Sequence, residues 1–333
     1  RSLGRSPVHP DLSLAAFCWV AVAASLVTNR LAHAQPPVAE IPTRPEESAE
    51  GLQPAPPSEV TTTPKQSFIP DLVFARMAEN PVSGITRVPV LNFANFGIPP
   101  NNRVGDAVVL APIIPARFKG GWSIATRTTI PALATVPFGR QASGAPDPNG
   151  RTTGFGDIGL ELLGAKQIRG KKKQFYDVGL GPFVGAPSAT DDFLGRGRWV
   201  LGPEIALGIS AKHWVTVLFA RNEWSIGKSS SRAEVNQMWM QYFLFYNLPK
   251  LFYLVYEPIF LANWEAAPKE RWTVPVGIGV GRHHRLPRRR RLSLTTRLSG
   301  LYNAVRPSTA PSWELLATLV FWKPNPAVFD MNP

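Results

Sequence analysis

From Arg87 to Trp322, apolar side chains alternate with polar or small ones in segments of about ten to thirteen residues. Successive side chains of a strand point to opposite faces of a sheet, so period-two alternation is the mark of a strand with one apolar face. The pattern predicts strands at 87–98, 104–115, 122–132, 155–166, 174–186, 199–211, 213–225, 235–247, 251–263, 272–282, 290–302 and 312–322. The connections between them alternate between tight turns, such as Lys212 or Leu248-Pro249-Lys250, and longer loops, the longest from Leu133 to Gly154. Strands near this length cross a bilayer at a steep tilt. An even strand number with short and long connections in alternation implies an antiparallel up-and-down transmembrane β-barrel of about twelve strands. Its short turns and both chain ends then lie on the periplasmic side of the outer membrane.

The two faces can be assigned from the same alternation. In 199–211, Trp199, Leu201, Pro203, Ile205, Leu207 and Ile209 oppose Gly202, Glu204, Ala206, Gly208 and Ser210. In 213–225, Trp214, Leu218 and Trp224 oppose Arg221 and Glu223; in 290–302, Leu292, Leu294 and Leu298 oppose Arg291, Ser293, Thr295 and Arg297. An Arg or Lys turned into mid-bilayer lipid costs about 2–4 kcal/mol, so the charged face must be the lumen. That places Arg127, Glu161, Glu204, Arg221, Glu257 and Arg297 inside, where three cations and three carboxylates can pair across a narrow interior. Trp122, Trp199, Trp214, Trp224, Trp264, Trp272, Trp313 and Trp322 fall at strand ends, the positions of an aromatic girdle at the headgroup level. Trp239 alone is placed mid-strand.

The segment before the barrel divides into three parts. Arg1 and Arg5, the apolar run Leu12 to Val27 and Ala32-His33-Ala34 make 1–34 a signal peptide. Residues 35–67 form a disordered Pro-rich linker, with eight prolines between Gln35 and Pro64 and no apolar periodicity. A short helix is expected within 68–81, stopped by Asn80-Pro81. The barrel occupies 82–322 and a tail 323–333 follows it.

Composition narrows the partners. The net charge is +13, and removing 1–34, with three Arg and one Asp, leaves +11. The basic residues bunch in two turns, Lys166 to Lys173 and Arg282 to Arg291, without a nucleic-acid-binding motif. Lipid headgroups of the outer membrane are the expected polyanionic partner, beside a small-molecule solute. Mean hydropathy is only −0.05 because each strand is apolar on one face alone. The single cysteine, Cys18, lies in the signal segment, so neither a disulfide framework nor a thiolate metal site is expected.

Several strings occur in a recognisable order: Asn80-Pro-Val-Ser-Gly, Thr153-Gly-Phe-Gly-Asp157-Ile, Gly181-Pro, Pro187-Ser-Ala-Thr-Asp-Asp192, Leu194-Gly-Arg-Gly-Arg-Trp199 and Gly202-Pro203. Val235-Asn-Gln237, Tyr246-Asn-Leu-Pro249, Asn263-Trp-Glu265, Arg271-Trp-Thr-Val-Pro275 and Asn303-Ala-Val-Arg-Pro307 follow. Over about residues 72–322 the chain resembles the neuromedin U-like bacterial outer-membrane proteins, close to the meta-pathway phenol-degradation transporter group. The resemblance implies an outer-membrane barrel; together with the polar lumen it makes a passive channel for small solutes the expected function, and the expectation of aromatic or apolar solutes rests on the resemblance alone. It carries over no functional residue.

Catalytic chemistry finds little support. After signal removal the histidines are His213, His283 and His284, all expected in periplasmic turns without a nucleophile beside them, so no enzyme is expected. His283-His284 and Asp191-Asp192 read as polar turn residues rather than metal ligands, so neither metal nor cofactor is expected. Gly277-Ile-Gly-Val-Gly281 lacks the helix that a nucleotide loop requires, and reads as glycines that let a strand bend. The alternative to a channel is a closed structural or binding barrel filled by its own side chains.

Overall fold

The computed structural model describes residues 70–82, 84–171, 174–227, 232–286 and 292–324. The expected signal peptide, the linker and the tail beyond 324 lie outside the described residues.

Twelve antiparallel strands form a closed barrel in which each strand pairs with its neighbours in sequence. They are β1 (Arg87–Ile98), β2 (Arg103–Leu110 and Ile113–Arg117), β3 (Trp122–Val136), β4 (Ile158–Arg169), β5 (Phe175–Ala186) and β6 (Val200–Ser210). Then come β7 (Trp214–Ser225), β8 (Asn236–Asn247), β9 (Phe252–Tyr256 and Ile259–Asn263), β10 (Trp272–Arg285), β11 (Ser293–Val305) and β12 (Trp313–Trp322). Closure is made by β1 against β12, in register from Arg87 opposite Trp322 to Phe96 opposite Trp313.

Proline explains where two long strands differ from expectation. The spans 104–115 and 251–263 are each broken, at Ala111-Pro112 and Glu257-Pro258, because proline has no N–H for the ladder. The fourth strand begins at Ile158 rather than at residue 155. The Asp157 carboxylate instead accepts the N–H groups of Ala189 and Arg196 and belongs to the loop. The last turn before β11 is displaced as well, since β10 continues to Arg285 and carries His283 and His284 on the strand.

Alternation is clearest in β6, where Gly202, Glu204, Ala206, Gly208 and Ser210 are buried and Leu201, Ile205, Leu207 and Ile209 are exposed. A wall with apolar residues outside and charges inside suits lipid on one side and a polar interior on the other. The wall kinks at Gly181-Pro182 and Gly202-Pro203, which lie side by side on β5 and β6. Here the β4–β5 ladder skips Leu162 and Leu163, and the β6–β7 ladder skips Asn222 and Glu223. A Cβ on Gly181 would lie 1.8 Å from the Leu162 carbonyl oxygen and one on Gly202 1.6 Å from that of Asn222, so only glycine fits.

Helix α1 (Asp71–Glu79) precedes the barrel, shorter than the 68–81 expectation; Pro70 caps its start, and Asn80-Pro81 ends it. No described helix is long and apolar enough to cross a membrane. Alpha1 sits across the mouth of the barrel at the short-turn end. Phe74, Met77 and Ala78 pack with Ile85, Phe175, Val320 and Trp322 into one buried cluster. Trp322 therefore does not stand in the outer aromatic girdle. It is on the inward face of β12, 1% exposed, with its ring 4.8 Å from that of Phe74.

Candidate functional site

The interior at the level of the wall kinks is built from direct cross-strand neighbours. Arg127 lies opposite Glu161, Glu161 opposite Phe183, Glu204 opposite Arg221, and Arg221 opposite Trp239. These pairs run around half the barrel, from β3 to β8. Arg127 forks onto Glu161, with Nη2 2.6 Å from Oε1 and Nε on Oε2, and lies 3.6 Å from Glu204. Arg221 donates to Glu161 at 2.9 Å and to Glu223 at 2.6 Å, and sits 3.6 Å from Glu204. Arg196, from the loop after β5, reaches the other oxygen of Glu223 at 2.7 Å. Gln237 donates to the same oxygen of Glu223, and Arg127 donates to Gln241.

The guanidinium planes also meet rings. Arg221 lies 3.8 Å from the Phe183 centroid and 4.0 Å from that of Trp239; Arg127 lies 4.5 Å from Phe219 and 5.3 Å from Trp239. Desolvated cation–π contacts of this kind contribute about 2 kcal/mol each. A cavity of about 70 Å³ adjoins this layer, lined by Asp157, Phe183, Arg196, Arg198 and Arg221 among others.

The other half of the interior carries a second pair. Glu257, at the break in β9, bonds Arg297 of β11 at 2.8 Å and accepts the Ser299 hydroxyl at 2.6 Å. The partners stand two strands apart, and the glycines of β10 between them leave the room. A Cβ on Gly279 would meet Ser299 Oγ at 2.0 Å, and one on Gly281 would meet the Tyr253 ring at 2.2 Å. All six charged residues singled out in the sequence thus lie in two ion-paired groups inside the wall. The sequence reading did not include Glu223, Arg196 and Gln241 in this set, although Glu223 shares its face with Arg221.

The closed mouth forms a second polar assembly. Arg87 donates to the carbonyls of Met77, Ala78 and Asn80 at 3.2, 2.9 and 2.6 Å, satisfying the C-terminal end of α1 with a cation, as its dipole favours. Glu79 accepts from Asn247 at 2.8 Å and meets His283 Nε2 at 3.2 Å. Arg76 reaches the Ser210 carbonyl, Asn80 bonds Asp177 and Ser210, and Arg285 bonds Asp71. Helix α1 and the Asn80 that ends it are thereby tied to β1, β5, β6, β8 and β10.

His283 corrects the expectation of a histidine in an open turn. It is 1% exposed, stacked at 4.5 Å on Tyr253, with Nδ1 2.9 Å from Thr295 Oγ1. Trp322 Nε1 donates to that same hydroxyl at 3.2 Å. One assignment satisfies every group: Trp322 N–H to Thr295, Thr295 O–H to His283 Nδ1, and His283 Nε2–H to Glu79. The sequence therefore does hide a hydroxyl, an imidazole and a carboxylate in line. They are sealed beneath α1 and Trp322, and no face of them is open to a substrate.

Outside, Trp122, Trp199, Trp214, Trp224, Trp272 and Trp313 are exposed at strand ends. Trp264 is half-buried, packed edge-on against Trp272 and bonded through Nε1 to Asn222. In the long loops Asp191 caps its own turn through the Phe193 N–H, and Asp192 joins Arg140 to Arg232. Among the described residues no three His, Cys, Asp or Glu side chains converge as metal ligands.

No protein-family model and no curated protein matches the chain. Among solved structures it is similar to an outer membrane channel from Pseudomonas putida F1, with 14% identity over 72% of this chain and 95% of that one and a TM-score of 0.53. More distant matches are the NanC porin (10% identity, 72% and 100% of the two chains, TM-score 0.42) and outer membrane phospholipase A from Escherichia coli (9%, 72% and 97%, TM-score 0.34). The fold is that of a bacterial outer-membrane β-barrel.

Proposed function

We propose that this chain is a narrow outer-membrane channel for small, flat solutes. The observation that carries the reading is the belt of Arg127, Arg221 and three glutamates, interleaved with Phe183, Phe219 and Trp239, inside a wall that is apolar outside. Buried ion pairs seldom stabilise a fold over well-packed apolar residues, so a stability argument alone does not account for such a belt. Alternating guanidinium planes and ring faces offer a passing aromatic solute both stacking and hydrogen bonds. The resemblance to the neuromedin U-like barrels agrees with this class of solute. The outward tryptophans would then hold the barrel at the two headgroup levels.

Planar-bilayer recording and liposome uptake of the refolded full chain test the reading. Ion current and faster entry of small aromatic solutes are expected; neither current nor uptake of any small solute would remove the channel. A second reading, a barrel closed for good, is favoured by one observation, the α1 plug, whose Phe74 and Met77 are buried in one cluster with Val320 and Trp322 of the wall. Under that reading the current stays absent even when the plug is loosened.

A further inference from the structure

We infer that the hairpins β2–β3 and β4–β5 together form a binding site for the headgroup of an anionic phospholipid in the leaflet facing the periplasm. The two hairpins are neighbours in the wall, since Trp122 at the start of β3 pairs with Lys166 near the end of β4. Lys119 stands in the first turn, and Arg169 and Lys171 flank the second; all three are exposed. Lys166 is held in place, with Nζ donating to the Gly120 carbonyl at 2.5 Å and lying 4.7 Å from the Trp122 centroid.

Three further observations point to a lipid. First, among the described residues none of these cations has a carboxylate within ion-pair distance. The carboxylate nearest these two turns in sequence, Asp177, is turned inward and buried, holding Gln167 and Asn80. The opposite end of the barrel differs, because Arg140, Arg196, Arg198 and Arg232 all have acidic partners there. Second, Trp122 and Tyr176 face outward at the same level, 54% and 37% exposed, which is where aromatic rings meet the acyl–headgroup boundary. Third, Lys166 and Trp122 already form a flat, positively charged ledge at the wall, so a phosphate above it meets a preset donor while its chains follow the apolar wall. The inference rests on the wall facing lipid and not on any transport activity.

The test is native mass spectrometry of the refolded full chain, titrated with phosphatidylglycerol or phosphatidylethanolamine of identical acyl chains. Each basic residue near an anionic headgroup is worth about a fivefold preference. The wild type is expected to retain phosphatidylglycerol at least about tenfold better, and Lys119→Gln/Arg169→Gln/Lys171→Gln should abolish the difference. Heat-dependent gel mobility reports folding; if the triple variant fails to fold, Lys171→Gln alone should lower the preference by about fivefold. Equal retention of both lipids by the wild type, or an unchanged preference in a folded variant, overturns the site. Displacement of the lipid by millimolar inorganic phosphate would assign the cluster to a soluble anion and overturn the lipid assignment.

Discussion

Replacing Arg221 by leucine tests both the energetics of the interior and its electrostatics. Arg221 bonds Glu161 and Glu223 and lies 3.6 Å from Glu204, almost wholly buried between two rings. Removing one partner of a buried ion pair typically costs about 3–5 kcal/mol, because the other charge is left desolvated. Here each carboxylate retains one cation: Arg127 for Glu161 and Glu204, and Arg196 for Glu223. The expected loss is therefore near the lower end, about 3 kcal/mol. Urea unfolding followed by tryptophan fluorescence in detergent micelles measures it. The charge balance changes too. Arg127, Arg196 and Arg221 against Glu161, Glu204 and Glu223 sum to zero, and without Arg221 the sum is −1. In a salt gradient the reversal potential should move toward that of a cation-selective pore. Arg221→Lys separates the two effects. It keeps the charge and hence the selectivity, but loses the planar fork and the stacking, so stability still falls. A leucine variant with wild-type stability would refute the energetic reasoning. Equal shifts of reversal potential in both variants would refute the electrostatic part.

Three other perturbations follow from the structure. Arg87→Ala leaves three carbonyls at the end of α1 without their donor, at about 1–3 kcal/mol for each one that water does not reach. A Met77→Cys probe, buried while α1 is seated, should become reactive to an impermeant maleimide in this variant, and continued protection would show that Arg87 does not hold the helix. Trp322→Ala should destabilise the barrel by about 3–5 kcal/mol, as for a core aromatic, measured by urea unfolding. A loss below about 1 kcal/mol would mark a peripheral ring. In the outer loops, the Ser308 N–H donates to Glu270 at 2.6 Å, and this bond holds the Glu270 carboxyl below its usual range. A lowered folded pKa stabilises the link above the ordinary glutamate value of about 4.3, and the link is lost as pH falls through the lower folded value. A spin label at Thr309 should gain mobility only in that acidic window, and immobility throughout would argue against the link.

The wall was legible because every strand obeys one constraint, an apolar face toward lipid, and violating it is expensive at each position. Register follows from parity, since a slip by one residue would turn Glu204 and Arg221 outward together with the rest of their faces. Trp322 shows how position can mislead where parity would not. Its place at a strand end suggested the girdle, while its two-residue spacing from Val320 and Thr318, both buried, puts it on the inward face. His283 misled differently: basic neighbours made it look like a turn, although it shares parity with Gly279 and Gly281. The plug contacts left no local signal at all. Glu79 meets His283 across 204 residues and Asn247 across 168, and no periodicity records contacts between a helix and the far side of a barrel.

The way α1 is held bears on how any flow could occur. Its apolar part is small, chiefly Phe74 and Met77, and burying such side chains is worth about 1.5–3 kcal/mol each. The polar contacts through Arg76, Glu79, Asn80 and Arg87 add about 1 kcal/mol net each, because water would replace them on release. Together these make the seated helix favoured by about 7–10 kcal/mol, so the ejected state would be populated only about once in 10^5 to 10^7. Under the channel reading, steady conduction in the wild type would have to pass the seated helix rather than wait for its ejection. A plug weakened at Arg87 would open a second, larger path. The two regimes differ in kind: a small constant current in the wild type, and discrete larger openings in Arg87→Ala. Identical currents from both proteins would mean that α1 does not obstruct the mouth it occupies.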